Sequence, residues 1–597
     1  MLGVFGLIAV GVCAVVGAAA AKSPWRIPPE SVSRIGFAMV VAIVLFFGAV
    51  VWITTFRHSS PSMRPWIGLL ASVVLGAGLA GAFGWFKAEL VAIVELARFL
   101  SLAGLVTLLS LPFAKDYGLG SAELRLAKAS AGQTRNDETS TTADPKPNIV
   151  LITIDTLAAT HLTPYGSARQ TSPQIEKFAS HATVFEQFHA NSNFTTAGIA
   201  SILMGVAPWT HRILQIQGKV DGQLMRESVP ARLHEAGYLT AYFGSNPWAG
   251  GRFQGFSRYF DYKDADLDWT FGPCFDRWSD LVPYLCAAAS NRLISYSYSA
   301  VEHSAALFGL ISLDPHSNVA TMVDRVTRWC DSVSKQPAPK FLWVHFFPPH
   351  DPYAAPRPWL GQFDPSSAAA GPVDSHPAVH FEGKFESARR VEILKARYDE
   401  SVAYVDHYIG PLISAAYRDF GENTVIILTA DHGESFDHGY GSHGGVMLYE
   451  DLIHIPLIIS IPGAGAGRRQ ELASQIDIAP TIAAEAGIAP SPAWVGRSLI
   501  GAPAGDPSIF AMNFEENSTV GPLQTGAVAA LHSHWKYVQF FGSPRYPDQP
   551  TLKNQLFDLQ KDPNEHTDLS LAHPEIASAL SSQIEQQLAL HGGAVGG

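Results

Sequence analysis

Two kinds of hydrophobic pattern divide the chain. Near the N-terminus the apolar positions are continuous: Leu2 to Ala21, Ile35 to Phe56 and Trp66 to Phe86. Each run reaches the roughly 20 residues that a helix needs to cross a bilayer. A fourth run, Val91 to Ala114, is broken by Glu95 and Arg98, which lie about one helical turn apart and can pair within a bundle. This pattern predicts about four transmembrane helices over residues 1–114. Residues 115–147 form a linker, and its greater part, Ala127 to Pro147, is poor in large apolar side chains, rich in Thr, Ser, Asp and Lys, and reads as flexible. From Asn148 onward short β-branched runs alternate with helical patterns. N-I-V-L-I-T-I, Y-L-T-A-Y-F-G, F-L-W-V-H-F-F, N-T-V-I-I-L-T and I-P-L-I-I-S-I read as strands; Glu227 to Ala236 and Val391 to Ala416 read as helices. The alternation predicts an α/β domain over 148–502, with helices on both faces of a mostly parallel central sheet. Asp264 to Ser317, full of aromatics, reads as an insertion, and Gly361 to Phe385 as a long loop. Short strand-like pieces and a final amphipathic helix from Pro574 predict a small C-terminal sheet subdomain over 503–597.

Composition sharpens this picture in three places. A chain of 597 residues that is 47% hydrophobic, with a mean hydropathy of +0.10, is apolar for a purely soluble protein, and the excess sits in the N-terminal runs. Lys22, Arg26 and Arg34 crowd the loop after the first run, which puts that loop in the cytoplasm and the folded domain outside it. A signal peptide is the rival reading of the first run, although it lacks a basic leading region. The net charge of −12 argues against a nucleic-acid partner, and the apolar runs imply a lipid bilayer as one. The four cysteines, Cys13, Cys274, Cys286 and Cys330, show no metal-binding spacing.

The candidate chemistry lies where strands end. The first strand stops on Asp155, and N-T-V-I-I-L-T-A stops on Asp431 and His432. In an open parallel sheet ligands bind beyond the carboxyl ends of the strands, so both ends are expected in one crevice. Carboxylate oxygen and imidazole nitrogen together suit a divalent metal. His438 and His443 follow in a glycine-rich loop. Between the two strand ends, N-S-N-F-T-T-A-G-I-A-S-I-L-M puts Thr195 at a helix start, where backbone N–H groups and the helix dipole favour an anion. A hydroxyl in that place also serves as an ordinary N-cap.

Ten pieces in register, among them P-N-I-V-L-I-T-I-D-T-L, L-M-G-V-A-P-W-T-H, H-F-F-P-P-H-D-P-Y, T-A-D-H-G-E and L-F-D-L-Q-K-D-P-N-E, resemble the sulfatase family of the alkaline phosphatase superfamily. The resemblance implies an alkaline phosphatase-like sandwich and a metal-dependent enzyme acting on phosphate or sulfate esters. It implies Asp155, Asp431 and His432 as ligands of a divalent ion (Zn, Mn or Ca), with Thr195 as both ligand and nucleophile. His350 and His443 stand as catalytic contacts to the leaving group, and His345 and Asn246 as substrate contacts. The chain departs from the family pattern at the nucleophile, where T-T-A-G-I replaces C/S-x-P-S-R. A Thr side chain cannot become formylglycine, because its β-carbon carries a methyl group. Thr156 replaces the second Asp of the usual pair, and Asn246 stands near a usual Lys. Thr195 with the D-H pair is similar to membrane-bound phosphoethanolamine and phosphoglycerol transferases. Two alternatives therefore stand beside the hydrolase: a phospho-headgroup transferase modifying an envelope lipid or glycan, and a non-catalytic binding protein that keeps the fold.

Overall fold

The strand-forming runs pair in an order that puts the most apolar of them at the centre. The structure, a computed structural model, describes residues 145–263, 317–365 and 388–591, less some loop positions within 216–221, 245–254, 352–354, 439, 502–506, 515–524 and 543–551. The four N-terminal apolar runs, most of the linker, the aromatic insertion and nearly all of the 361–385 loop lie outside the described residues. Among the described residues no helix is long and apolar enough to cross a membrane.

Strand β1 (Asn148–Ile154) is buried at every position. Its partners β6 (Lys340–Phe346) and β7 (Thr424–Ala430) are also buried throughout and run parallel to it on either side. A strand covered on both faces has no polar face to alternate with, and this accounts for the continuous apolar runs in the sequence. The sheet continues through β4 (Leu239–Gly244) and β5 (Tyr262–Lys263) beyond β6, both parallel. Beyond β7 come β10 (Leu457–Ser460), β2 (Thr183–Phe185) and β11 (Gly467–Arg469). β10 is antiparallel to both its neighbours, so the eight-stranded sheet is mixed and mostly parallel, in the order β11-β2-β10-β7-β1-β6-β4-β5.

Helices pack in two groups. α5 (Ala388–Phe420) packs on α1 (Pro173–Ala179) and α4 (Ser317–Val333), while α2 (Thr195–Met204) packs on α3 (Val229–Glu235) and α6 (Ile478–Glu485). α1 is capped by a distant side chain: Asp406 of α5 accepts the backbone N–H groups of Gln174 and Ile175 at 2.9 and 2.8 Å.

β13 (Ile509–Phe514), β14 (Gly526–His532), β15 (Trp535–Phe541) and β16 (Gln555–Asp558) form a separate antiparallel meander. Helix α7 (Pro574–Leu590) packs on β14 and β15. Alternation along β14 sends Ala527, Ala529 and Leu531 into the main core, and Val528 and Ala530 into a second core with Leu580, Ile584 and Leu588 of α7. Two short pairs complete the strands: β3 (Phe188–His189) with β12 (Ala473–Ser474), and the hairpin β8 (Ser435–Asp437) with β9 (Tyr440–Ser442).

Candidate active site

The parallel register brings four strand ends to one edge. Ile154 of β1 pairs with Phe346 of β6 and with Ala430 of β7, so Asp155 and Asp431 leave adjacent strands one step beyond the last pair. Gly244 of β4 is level with His345 of β6, and Asn246 follows just beyond. The six side chains Asp155, Thr195, Asn246, His345, Asp431 and His432 are all buried.

Hydrogen bonds fix what each side chain offers. Asp431 Oδ1 accepts the backbone N–H of Thr156 at 3.1 Å and of His432 at 2.8 Å. To deliver that N–H, Thr156 adopts a φ of 57°, a strained conformation for a β-branched residue, and Tyr398 holds its carbonyl at 2.6 Å. Asp155 Oδ2 accepts a hydrogen bond from Asn246 Nδ2. The other oxygens, Asp155 Oδ1 and Asp431 Oδ2, are buried with no hydrogen-bond partner among the described residues. His432 Nδ1 lies 2.9 Å from the Gly433 carbonyl, which only an N–H satisfies. The bare lone pair of His432 is therefore on Nε2, which lies 3.7 Å from Asp155 Oδ1, 3.9 Å from Asp431 Oδ2 and 3.2 Å from Thr195 Oγ1.

Burial works on these groups in opposite directions. It pushes the Asp431 carboxyl well above the usual carboxylate range, and the neighbouring Asp155 charge pushes it further. For Asp155, burial is outweighed by the His350 charge and by His345, and its carboxyl is held below that range. Burial drives His432 down to about 3, so its ring stays neutral. Two crowded carboxylates with an orphaned oxygen each, and an imidazole lone pair aimed at them, are a donor set that fits a divalent cation; one donor atom from each of Asp155, Asp431 and His432 lies within 4.8 Å of the others.

Thr195 is the first residue of α2. The N-cap is Phe194, and no side chain caps the helix. The Thr195 hydroxyl is not spent on capping; it faces His432. Gly198, one turn on, lets α2 settle against β7, since a Cβ there would collide with the Asp431 carbonyl.

Three further imidazoles line the same edge. The ring of His443 lies 4.6 Å from that of His432 and 4.6 Å from that of His350. His443 Nδ1 sits 3.2 Å from both oxygens of the buried Glu434, and burial lowers its pKa to about 4. Burial also works against a charge on His350, but the Asp351 and Asp155 carboxylates outweigh it and raise its pKa to about 10. His345 Nδ1 lies 2.8 Å from Thr153 Oγ1, which also accepts the Trp343 indole N–H at 2.9 Å. A hydroxyl has one proton to give. The alternative acceptor, the Val344 carbonyl, is 3.5 Å away, so the proton goes to His345 Nδ1. His345 then carries its own proton on Nε2, which is buried 3.5 Å from Asp155 Oδ2 without a hydrogen-bond partner among the described residues.

The structure brings together every predicted site residue: Asp155, Thr195, Asn246, His345, His350, Asp431, His432 and His443. His438 is not among them, and stacks instead on Tyr449 at 3.9 Å. The sequence reading passed over Glu434 and Asp351, although D-H-G-E and H-D-P carried both. It passed over the Thr153–Trp343 pair, whose members sit on the same face of the adjacent strands β1 and β6. It also missed Asn193, whose amide donates to the carbonyls of Gly444 and Met447 at 2.9 and 2.5 Å and so fixes the loop beside His443.

Residues 147–488 match the family model described as Sulfatase. The chain belongs to the sulfatase family. The chain is accordingly an ester hydrolase. Choline-sulfatase of Rhizobium meliloti is 25% identical over 465 residues, 71% of this chain and 82% of that protein. N-acetylgalactosamine-6-O-sulfatase of Bacteroides thetaiotaomicron is 24% identical over 519 residues, 74% and 93% of the two chains. Arylsulfatase K of Mus musculus is 30% identical over 232 residues, but the match spans only 36% of this chain and 39% of that protein. Among solved structures, the phosphonate monoester hydrolase of Agrobacterium radiobacter shares the fold, with a TM-score of 0.56 at 20% identity over 75% of this chain and 96% of that one.

Proposed function

We propose that this sulfatase-family hydrolase cleaves a phosphate or phosphonate ester with Thr195 as its nucleophile. One observation carries the reading: the Thr195 hydroxyl, at a helix start and free of capping duty, lies 3.2 Å from His432 Nε2 in the pocket of orphaned carboxylate oxygens. Asp155, Asp431 and His432 would hold the divalent cation, which when bound supplies Lewis acidity and favours the ionised form of a hydroxyl beside it. The chain's own groups do the rest. The first N–H groups of α2 face the entering anion and stabilise its oxygens. His345 Nε2–H is a further donor to one of those oxygens. Thr195 Oγ1, its own proton released to water, attacks phosphorus as the bond to the leaving oxygen breaks, and protonated His350 supplies the proton that oxygen needs. Water then attacks the phosphothreonine ester, restoring the hydroxyl and releasing the acid.

The nucleophile decides between phosphorus and sulfur. A formylglycine hydrate releases sulfate by collapsing to an aldehyde, a route closed to threonine. A phosphothreonine is instead open to attack at phosphorus. A sulfate ester is the second reading, favoured by the choline-sulfatase relative, of which the chain covers 82%. We further propose, from the N-terminal apolar runs and the basic residues of the first loop, that the domain is tethered to a membrane outside the cytoplasm.

The test is mass spectrometry of the Thr195 peptide after brief exposure to an aryl phosphate, a phosphodiester, an aryl phosphonate or an aryl sulfate, followed by an acid quench. The phosphorus reading expects a phosphoryl or phosphonyl adduct, and a sulfuryl adduct would replace it with the sulfate reading. Thr195→Ala lowers turnover by on the order of 10^3-fold or more, whereas Thr195→Ser keeps measurable activity. Full activity in Thr195→Ala would end the proposal.

A further inference from the structure

A second cluster of donors lies away from this pocket, on the surface where the β8–β9 hairpin meets the segment after β16. Asp437 and His438 come from the hairpin and His566 from the segment, and one donor atom of each lies within 4.8 Å of the others. The spacing can be compared with that of a tetrahedral ion. With Zn–N bonds of about 2.0–2.1 Å, two imidazoles on one zinc hold their ring centroids about 5 Å apart, and adjacent donor atoms about 3.4 Å apart. The rings of His438 and His566 are 5.1 Å apart. His566 Nε2 lies 3.6 Å from Asp437 Oδ2. Contacts already fix the plane of His438. Its ring stacks on Tyr449 at 3.9 Å with 12° between the planes. The nearby Lys536 ammonium is paired with Glu450 and Glu565 at 2.9 and 2.8 Å, which offsets its repulsion of a cation.

The geometry points to a zinc site formed by Asp437, His438 and His566, separate from the Asp155–Asp431–His432 pocket. Two nitrogen donors and one carboxylate select zinc over calcium or magnesium, which prefer oxygen. Two of the three side chains are about half exposed, so the fourth position is open to water. An ion here ties the hairpin that leads into His443 to the C-terminal segment. Its role is to brace the hairpin, and it takes no part in ester cleavage.

Zinc chloride is the probe. The full chain, stripped with a chelator, is dialysed against micromolar zinc and its metal content measured, alongside His566→Ala, Asp437→Asn and Asp431→Ala. His566→Ala and Asp437→Asn each lose one zinc ion per chain relative to the parent. Asp431→Ala retains that ion, and the Asp431→Ala/His566→Ala double variant loses it. Removing a direct ligand weakens zinc by at least the about 10–100-fold that losing a supporting partner costs. Cobalt(II) loaded into Asp431→Ala gives the intense visible bands of a tetrahedral ion, and these vanish in the double variant. Equal zinc content in parent and His566→Ala, or no tetrahedral cobalt spectrum in Asp431→Ala, overturns the proposal. His566 is exposed, so its replacement leaves folding intact, which circular dichroism checks.

Discussion

At the scale of single residues, each donor in the pocket is held by a partner that decides which atom it presents. Gly433 turns the lone pair of His432 inward, and Thr153 and Trp343 turn the proton of His345 inward. Thr153→Val removes the proton given to His345 Nδ1, which frees the ring to protonate there and turn a lone pair toward Asp155. The expected loss in kcat is about 10–100-fold with little change in KM, and Thr153→Ser recovers most of it. A Thr153→Ser enzyme as slow as Thr153→Val would show that methyl packing, and not the hydroxyl, matters. Part of this was legible in the sequence. A carboxylate after a buried apolar run marks a strand end, and two such ends in a parallel sheet meet, so Asp155, Asp431 and His432 could be read locally. His438 and His443 lie in one loop and look alike there, yet a hairpin turn sends one to the surface and the other to the pocket. That division depends on the turn at His438, whose φ of 54° a string of residue types does not announce.

At the scale of elements, the start of helix α2 and the end of strand β7 must come together for the Thr195 hydroxyl to face His432. Gly198 makes that contact possible. Gly198→Ala raises helix propensity but forces the helix away from the Asp431 backbone. The expected result is a loss of about 1–3 kcal/mol in urea unfolding together with weaker metal retention. Unchanged stability and metal content would show that the two elements are free to shift. The C-terminal meander is joined to the main sheet region through a buried charge cluster. Lys536 of β15 is fully buried between Glu450 and Glu565, and Glu450 also contacts His189 Nε2 at 3.0 Å. Burial alone would raise the Glu450 carboxyl, but Lys536 and His189 outweigh it and hold it below its ordinary range. A depressed carboxyl adds stability above its unfolded value of about 4.3, and that stability is lost as the pH falls toward the folded value. Lys536→Met removes the cation from the buried Glu450 carboxylate and from Glu565, whose carboxyl burial has already raised to about 7, and costs roughly 3–5 kcal/mol near neutral pH. The gap between variant and parent narrows below about pH 4. A pH-independent gap would show that packing of the lysine stem, not charge, sets the cost.

At the scale of the whole molecule, a cation held between the crowded carboxylates, as proposed above, would stabilise the fold. Chelation removes the charge that balances Asp155 and Asp431, so the unfolding temperature falls, and restoring zinc, manganese or calcium raises it in the order of their affinity. An unfolding temperature indifferent to chelator and to every ion would mean that the pocket binds none of them. The architecture was legible as a class because alternating strands and helices have few solutions. The ties across it were not, because their partners are far apart in sequence. Asn191 donates from Nδ2 to the Phe510 carbonyl across 319 positions, and Asn513 Nδ2 donates to Asn193 Oδ1 across 320. Gln475 holds the carbonyls of Ala430 and Asp431 at 3.1 and 2.7 Å and accepts the backbone N–H of Asn191 at 2.9 Å. These bonds flank Thr195, and their order has a consequence for how the protein is made. A ribosome releases the threonine segment long before it releases Phe510 and Asn513. The bonds that flank Thr195 therefore close only after the C-terminal meander has been translated.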